Sequence, residues 1–242
     1  MADDVANGGN LEGLSSAYTA WRASPLGRIT DALEQELLLD LIGPVAGMRV
    51  LDVGCGDGAL AVELERRGAT VTGIDSLPQM IDAARRRARA HGVDATFEVA
   101  TAQDMPFAPD AFDSVVAVTA LCFIKDAAPV LGEVGRVLRP GGRVVIGELG
   151  KWNTWATGRR LRAWFGHPVW RRAHFRTAHE LRHLASELGF VVETLHGAIY
   201  YPPCGPAAWL LGSMDRHVGR LTTFGAAFLA LAATKPATWR KL

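Results

Sequence analysis

Short apolar runs alternate with helical stretches between Arg49 and Glu148, and that alternation is the strongest constraint on what this chain can fold into. The predicted strands are Arg49–Val53, Thr70–Ile74, Thr96–Val99, Ser114–Thr119 and Arg143–Glu148. Between them lie predicted helices at 59–67, Pro78–His91 and 127–138, with Gly68, Gly92 and Pro140-Gly141-Gly142 as stops. Strand interiors such as Val115-Val116-Ala117-Val118 are apolar without interruption. A strand needs that only when both of its faces are buried, so the pattern predicts a mostly parallel sheet with helices on both sides. Upstream, Leu33, Leu37, Leu38 and Leu41 recur at helical spacing and predict a helix from Ser16 to Ile42, ended by Gly43-Pro44. Downstream, the pattern predicts a helix over Thr177–Leu188 and strands near 190–200 and 225–234. Residues 1–15, rich in Gly, Asn and Asp, are expected to be mobile.

Composition narrows the class. The 26 basic and 25 acidic side chains leave a formal charge of +1, which argues against a general polyanion binder and for no stable nucleic-acid partner. Cys55, Cys122 and Cys204 share no close spacing, so neither a disulfide framework nor a zinc site is expected, and no metal is assigned. MADDVANGGN lacks the basic and apolar regions of a signal peptide. The longest strongly apolar run, Phe224–Ala233, is too short to span a bilayer. A cytoplasmic enzyme of one domain over residues 1–242 is the expectation.

The first predicted strand runs into Gly54-Cys55-Gly56-Asp57-Gly58 and then a helix, an arrangement that offers backbone N–H groups to a ligand. Gly54, Gly56 and Ala59 satisfy the dinucleotide-binding pattern formally, and so would a tight turn with no ligand. Asp52 discriminates further, because a carboxylate there repels a pyrophosphate and attracts an ammonium. No Lys or Arg lies within 51–65 to neutralise phosphate. S-adenosylmethionine carries an ammonium and a sulfonium but no phosphate. Asp75, 17 residues beyond Gly58, could accept hydrogen bonds from ribose hydroxyls or could simply cap the helix at Pro78.

LDVGCGDG (51–58), VTGID (71–75), FDSVVAV (112–118) and RVLRPGGRVVIGE (136–148) closely resemble the class I S-adenosylmethionine-dependent methyltransferases, in the small-molecule subgroup that includes quinone methyltransferases. The resemblance is continuous over roughly residues 46–150. It implies a Rossmann-like, seven-stranded, mostly parallel sheet with an antiparallel last strand. It also implies S-adenosylmethionine as cofactor, with Asp52, Gly54, Gly56 and Gly58 at its methionine part, Asp75 at the ribose and Met80 against the adenine. Thr101, Ala102 and Gln103 fall in the segment that lies along the adenine edge, with Thr101 in place of the usual acid. Thr119 falls beside the methyl-transfer position. Tyr18, Trp21 and Pro25-Leu26-Gly27 resemble a segment that closes over the cofactor.

Methyl transfer needs alignment more than a catalytic constellation, and a base only when the nucleophile arrives protonated. The catalytic residues are therefore unassigned, with Thr119, Cys122 and His174 as candidates. Cys122 reads as a covalent nucleophile, as a soft ligand for a metalloid substrate, or as a small buried hydrophobe between Leu121 and Phe123. His167, His174 and His179 read as a base, an anion contact or solvated side chains, and the His179–His183 spacing lacks further metal ligands. Tyr201-Pro202-Pro203 and Pro203-Cys204 read as turn chemistry.

Residues 151–176 hold seven basic side chains, no acidic one, and four of the seven tryptophans. The expected layout is an N-terminal cap (1–45), a cofactor-binding core (46–150), this stretch as an insertion (151–176) and the rest of the sheet (177–242). A substrate lid would present Trp152 and Trp155 on one helical face and Arg159 and Arg162, unpaired, on another. Alternatives are a solvated amphipathic helix and peripheral contact with an anionic membrane. The function expected is methylation of a small molecule with an apolar or aromatic body and an anionic group. Competing readings are methylation of a lipid or quinone at a membrane surface, methylation of RNA, and a non-catalytic cofactor-binding module.

Overall fold

The computed structural model describes residues 21–167 and 170–239. Its centre is a seven-stranded sheet in the order β3-β2-β1-β4-β5-β7-β6. The strands are β1 (Arg49–Val53), β2 (Thr70–Asp75), β3 (Thr96–Val99), β4 (Phe112–Val118), β5 (Leu138–Leu149), β6 (Val191–Ala198) and β7 (Phe228–Thr234). Strands β1 to β5 pair in parallel, and β7 runs antiparallel to both β5 and β6. The expected Rossmann-like sheet with one antiparallel last strand is what forms.

The helices are α1 (Pro25–Ile42), α2 (Ala59–Arg66), α3 (Pro78–His91), α4 (Ala128–Val137), α5 (Thr154–Trp164), α6 (Ala178–Glu187) and α7 (Gly205–Leu221), with a 3-10 turn at Leu121–Phe123. Local chemistry sets their ends. Ser24 caps α1 by accepting from the Gly27 N–H, and Pro25 starts the helix with φ already set. This separates α1 from the helical residues 21–23, so the predicted continuous helix from residue 16 is broken at Ser24. Its residues 16–20 and the N-terminal stretch 1–15 lie outside the described residues. Thr177 and Glu180 form a reciprocal capping box at α6, and Asn153 caps α5.

The structure corrects the sequence reading at α7. No helix was expected between the last two strands, yet Gly205–Leu221 forms one: its single proline, Pro206, sits in the first turn where helices accept it, and the interior Gly212 and Gly219 are tolerated where the helix packs closely. Helix α7 packs on α1 and β6. Its Asp215 accepts from the Ile199 and Tyr200 N–H groups and fixes the turn after β6. The two layers of helices bury separate apolar clusters on the two faces of the sheet, with Val116 and Val145 on one side and Val115 and Ile146 on the other. Alternate residues of one strand thus serve both cores, which is why β4 is apolar throughout Val115–Val118, its polar residues Asp113 and Ser114 lying at its start.

Candidate functional site

Strand order reverses between β1 and β4, both parallel to each other, and a crevice opens beyond their carboxyl ends. Asp52 stands near the end of β1 and Thr119 just past β4. The glycine loop 54–58 is hung on β2: the N–H groups of Gly54 and Cys55 both donate to the Ile74 carbonyl, at 2.8 and 2.9 Å. Gly54 and Gly56 have φ of 72° and 53°, a region that L side chains avoid. A Cβ on Gly54 would lie 2.6 Å from the Ala120 Cβ, whereas one on Gly56 would project into open space. A Cβ on Gly58 would lie 2.9 Å from the Ala84 Cβ, so the loop keeps Gly54 and Gly58 for packing and Gly56 for an open face.

Asp52 is 2% exposed, and its Oδ2 has no hydrogen-bond partner. Burial, helped by the Asp75 and Asp57 charges, pushes its carboxyl up to about 7. A buried carboxylate oxygen without a partner is costly unless a cation meets it. An amino-acid ammonium suits that demand and a phosphate does not. Asp75 accepts from the Leu77 N–H at 2.9 Å and from the Gly56 N–H at 3.1 Å. It therefore braces both α3 and the glycine loop, while its remaining lone pairs could still take hydroxyl donors. Both readings of Asp75 hold in geometry. Met80 is half-buried in the first turn of α3; Thr101 and Gln103 are exposed and Ala102 half-buried, with Thr101 bridged to Asp104. Arginines absent from 51–65 do reach the loop from elsewhere. Arg22 and Arg87 contact Asp57 at 3.4 and 2.5 Å, and so they are already matched by a carboxylate. The donor set thus fits S-adenosylmethionine. Tyr18 lies outside the described residues, while the Arg22–Asp57 pair holds the segment before α1 beside this loop.

Thr119 has φ of 49° and donates its N–H to the Gly147 carbonyl at 2.8 Å. For a β-branched residue that backbone is strained, and it sits at the mouth of the crevice. Cys122 is fully buried, its thiol pushed well up by burial, and its Sγ–H donates to the Thr119 carbonyl. Its place in the core removes it as a nucleophile, since the reactive form is the thiolate. His174 is exposed and is tied to Cys122 only through its backbone, N–H to carbonyl at 2.7 Å.

The stretch 151–176 leaves the sheet and returns to it at one point, where Gly150 bridges to Arg176. The predicted pairing of faces is corrected here. Trp152 precedes α5 and is 59% exposed, whereas Trp155 is buried, so the two do not share a face. The arginines are not uniformly unpaired either. Arg176 bonds the buried Glu148, Arg160 donates to the Lys151 carbonyl, and Lys151 pairs with Glu180. Arg159 turns inward over the rings of Trp155 and Trp170, at 5.5 and 4.9 Å, while Arg162 is exposed.

Several residues were invisible from sequence. Tyr201, read as part of a turn, is fully buried and joins three elements. Its hydroxyl meets Thr30 of α1 at 3.1 Å, its carbonyl accepts from the Trp155 indole N–H at 2.8 Å, and its ring meets Trp155 edge-on. One helical turn beyond Thr30 and Trp155 stand Glu34 and Arg159, which face each other electrostatically. Burial pushes Glu34 up to about 7, against the opposing pull of Arg159. The same Arg159 charge acts on the Cys122 thiol, against the effect of its burial. Glu148 ends β5 with one oxygen unpartnered and is likewise pushed up to about 7 by burial. Of this cluster the sequence singled out Trp155 and Arg159 as substrate candidates, but not Glu34, Glu148 or the structural place of Tyr201. A separate cavity of about 460 Å³ lies between α1, β6 and α7, lined by Glu36, Asp40, Arg143, Glu193 and Arg216, away from the crevice.

The methyltransferase-domain family matches residues 51–146. Methyltransferase GfsG of Streptomyces halstedii is 39% identical over 47% of this chain and 42% of its own length. An uncharacterised protein of Mycobacterium tuberculosis is 36% identical over 92% of this chain, which spans 73% of that relative. Among solved structures, a Thermotoga maritima S-adenosylmethionine-dependent methyltransferase, described as a possible histamine N-methyltransferase, matches with a TM-score of 0.70 at 21% identity, over 94% of this chain and 98% of that one. Geranyl diphosphate C-methyltransferase of Streptomyces coelicolor, in complex with geranyl diphosphate and S-adenosylhomocysteine, matches with a TM-score of 0.62 at 21% identity, over 84% and 76%. At such identities the structural matches speak for the fold alone.

Proposed function

Because the chain belongs to the class I S-adenosylmethionine-dependent methyltransferases, we propose that it transfers the methyl group to a small molecule with an apolar or aromatic body and an anionic group. The observation that carries this reading is the inward face of α5. Arg159 lies over the rings of Trp155 and Trp170, an aromatic enclosure that Trp21 and Tyr201 extend through edge-on contacts with Trp155. Such an enclosure suits a flat or branched apolar body, and Arg159 suits a carboxylate or phosphate. Geranyl diphosphate, the ligand of one fold neighbour, has that pairing of apolar body and anionic end.

In this reading residues 1–45 form a cap, 46–150 the cofactor core, 151–176 a lid and 177–242 the rest of the sheet. Asp52 and the open face at Gly56 would hold the amino-acid end of S-adenosylmethionine, Asp75 the ribose, and Met80 with 101–103 the adenine. The cofactor supplies an activated methyl carbon, and the chain's own task is alignment and exclusion of water. Thr119 would border the reacting carbon. Glu34, a half-buried carboxyl that feels the Arg159 charge and is pushed up to about 7, is a candidate to take a proton from a protic acceptor.

The test is a labelled-methyl assay over paired acceptors that differ only in a terminal carboxylate or phosphate. Transfer should favour the anionic member, and Arg159→Ala should erase that preference while S-adenosylhomocysteine affinity holds. Equal transfer to both members by the wild type would defeat the anionic-acceptor reading. Transfer only to RNA would defeat the small-molecule reading.

A further inference from the structure

Helix α5 has a second face that the methyl-transfer reading leaves unused. At about 100° per residue, Leu161, Trp164 and Phe165 fall within one narrow stripe, opposite the inward-turned Trp155 and Arg159. They are 50%, 84% and 82% exposed, and the Trp164 and Phe165 rings stack on each other rather than on the protein. Large apolar side chains in such numbers seldom stay in water without a partner. On the same helical projection Arg160 and Arg162 flank the stripe, one on each side. The loop that follows adds the exposed Arg171 and Arg172, and no acidic residue occurs from 151 to 176.

We propose that this face docks on an anionic lipid surface, with Trp164, Phe165 and Leu161 at the level of the acyl boundary and the arginines among the headgroups. A helix with an apolar stripe, an indole and a purely cationic rim has the composition of an interfacial segment. Arginines beside a negatively charged leaflet strengthen binding in a salt-dependent way. The charge pattern also selects among occupants. A two-fold contact with a second copy would press like-charged rims together. Helix α7 exposes Trp209, Leu210 and Met214 as well, yet Arg216 beside them is bonded to Glu36 and Asp40 and so leaves that stripe without a comparable cationic rim. No described helix is long and apolar enough to cross a membrane, so the contact would be peripheral. The proposal stands apart from the acceptor reading, because the stripe and Arg159 lie on opposite sides of α5.

Vesicle co-sedimentation with the full chain tests it. Vesicles of phosphatidylcholine with about one-third phosphatidylglycerol should bind the protein at low salt, and binding should collapse at about 0.5 M salt. Trp164→Ser with Phe165→Ser should abolish binding. Arg171→Gln and Arg172→Gln should each weaken it about fivefold. All three variants should retain S-adenosylhomocysteine affinity, which certifies their folds. Equal binding to pure phosphatidylcholine vesicles would overturn the proposal, as would no vesicle binding at all. So would self-association that disappears in the Trp164→Ser, Phe165→Ser protein, or salt-sensitive RNA binding without vesicle binding.

Discussion

Asp52 combines burial, an unpartnered oxygen and a carboxyl pushed up to about 7, and each has a measurable consequence. If an ammonium meets Asp52, binding favours its ionised form and releases a proton. Affinity for S-adenosylhomocysteine should then rise as pH increases towards about 7 and level off above it; calorimetry across that range should show the slope, and Asp52→Asn should remove it. At Gly56 the open space removes packing damage as a cause, leaving ligand blocking and the local backbone strain that a φ of 53° imposes. Gly56→Val is expected to abolish S-adenosylhomocysteine binding while circular dichroism stays native, and unchanged affinity would remove the loop from the proposed site. Asp75→Ala should cost about 1.5–3 kcal/mol of cofactor binding, the range for hydrogen bonds to a charged group. Because Asp75 also braces the Gly56 N–H, part of that loss would be loop disorder, visible as a small drop in the stability of the free protein.

At the scale of elements, α1, α5 and the segment entering α7 meet at Tyr201. Its side chain is fully buried among Thr30, Trp155 and the neighbouring apolar residues. Tyr201→Ala should therefore destabilise the protein by about 3–5 kcal/mol, the cost of deleting a large aromatic core side chain. Urea unfolding would measure it, and a loss under about 1 kcal/mol would show that the three elements hold together without it. Within α5 the two faces predict opposite behaviour for two arginines three residues apart. Arg159→Ala should raise the acceptor KM strongly, since Arg159 turns inward, whereas Arg162→Ala should leave it nearly unchanged. Equal effects would mean that the helix is rotated relative to the arrangement described here.

For the whole molecule, three carboxyls, Glu34, Asp52 and Glu148, are pushed up to about 7 by burial. In the unfolded chain they release their protons near pH 4. The folded protein thus holds protons that the unfolded chain has lost, so their contribution is greatest below about pH 4 and fades as pH rises through 7. Thermal stability should accordingly fall between pH 5 and 8 as far as these groups govern it. S-adenosylhomocysteine should offset part of the decline, because its ammonium would compensate one of the three charges. A melting temperature that rises steadily over that interval would contradict the assignment of these groups as buried carboxyls.

The sheet, its crevice and the cofactor loop were legible because each is encoded locally. Continuous apolar runs require two-sided burial, glycines at 54, 56 and 58 supply the left-handed turns, and Asp52 and Asp75 end adjacent strands by sequence position alone. Helix α7 was missed because its proline and glycine punctuation reads as a turn until a neighbouring surface is present to bury Ala208 and Gly219. The inner wall beside the crevice was equally hidden. Glu34, Arg159 and Tyr201 lie far apart along the chain, and nothing in a one-dimensional pattern states that α1 and α5 will pack on the turn after β6. Trp152 and Trp155 show the same limit at short range, since a cap at Asn153 starts the helix between them and sends one indole into the core and the other into solvent. Sequence determined the class of fold and the chemistry of the cofactor loop, because periodicity and strand-end residues are short-range properties. Only tertiary structure decided that Glu34, Trp155, Arg159 and Tyr201 come together, because that depends on long-range packing and on the desolvation it imposes.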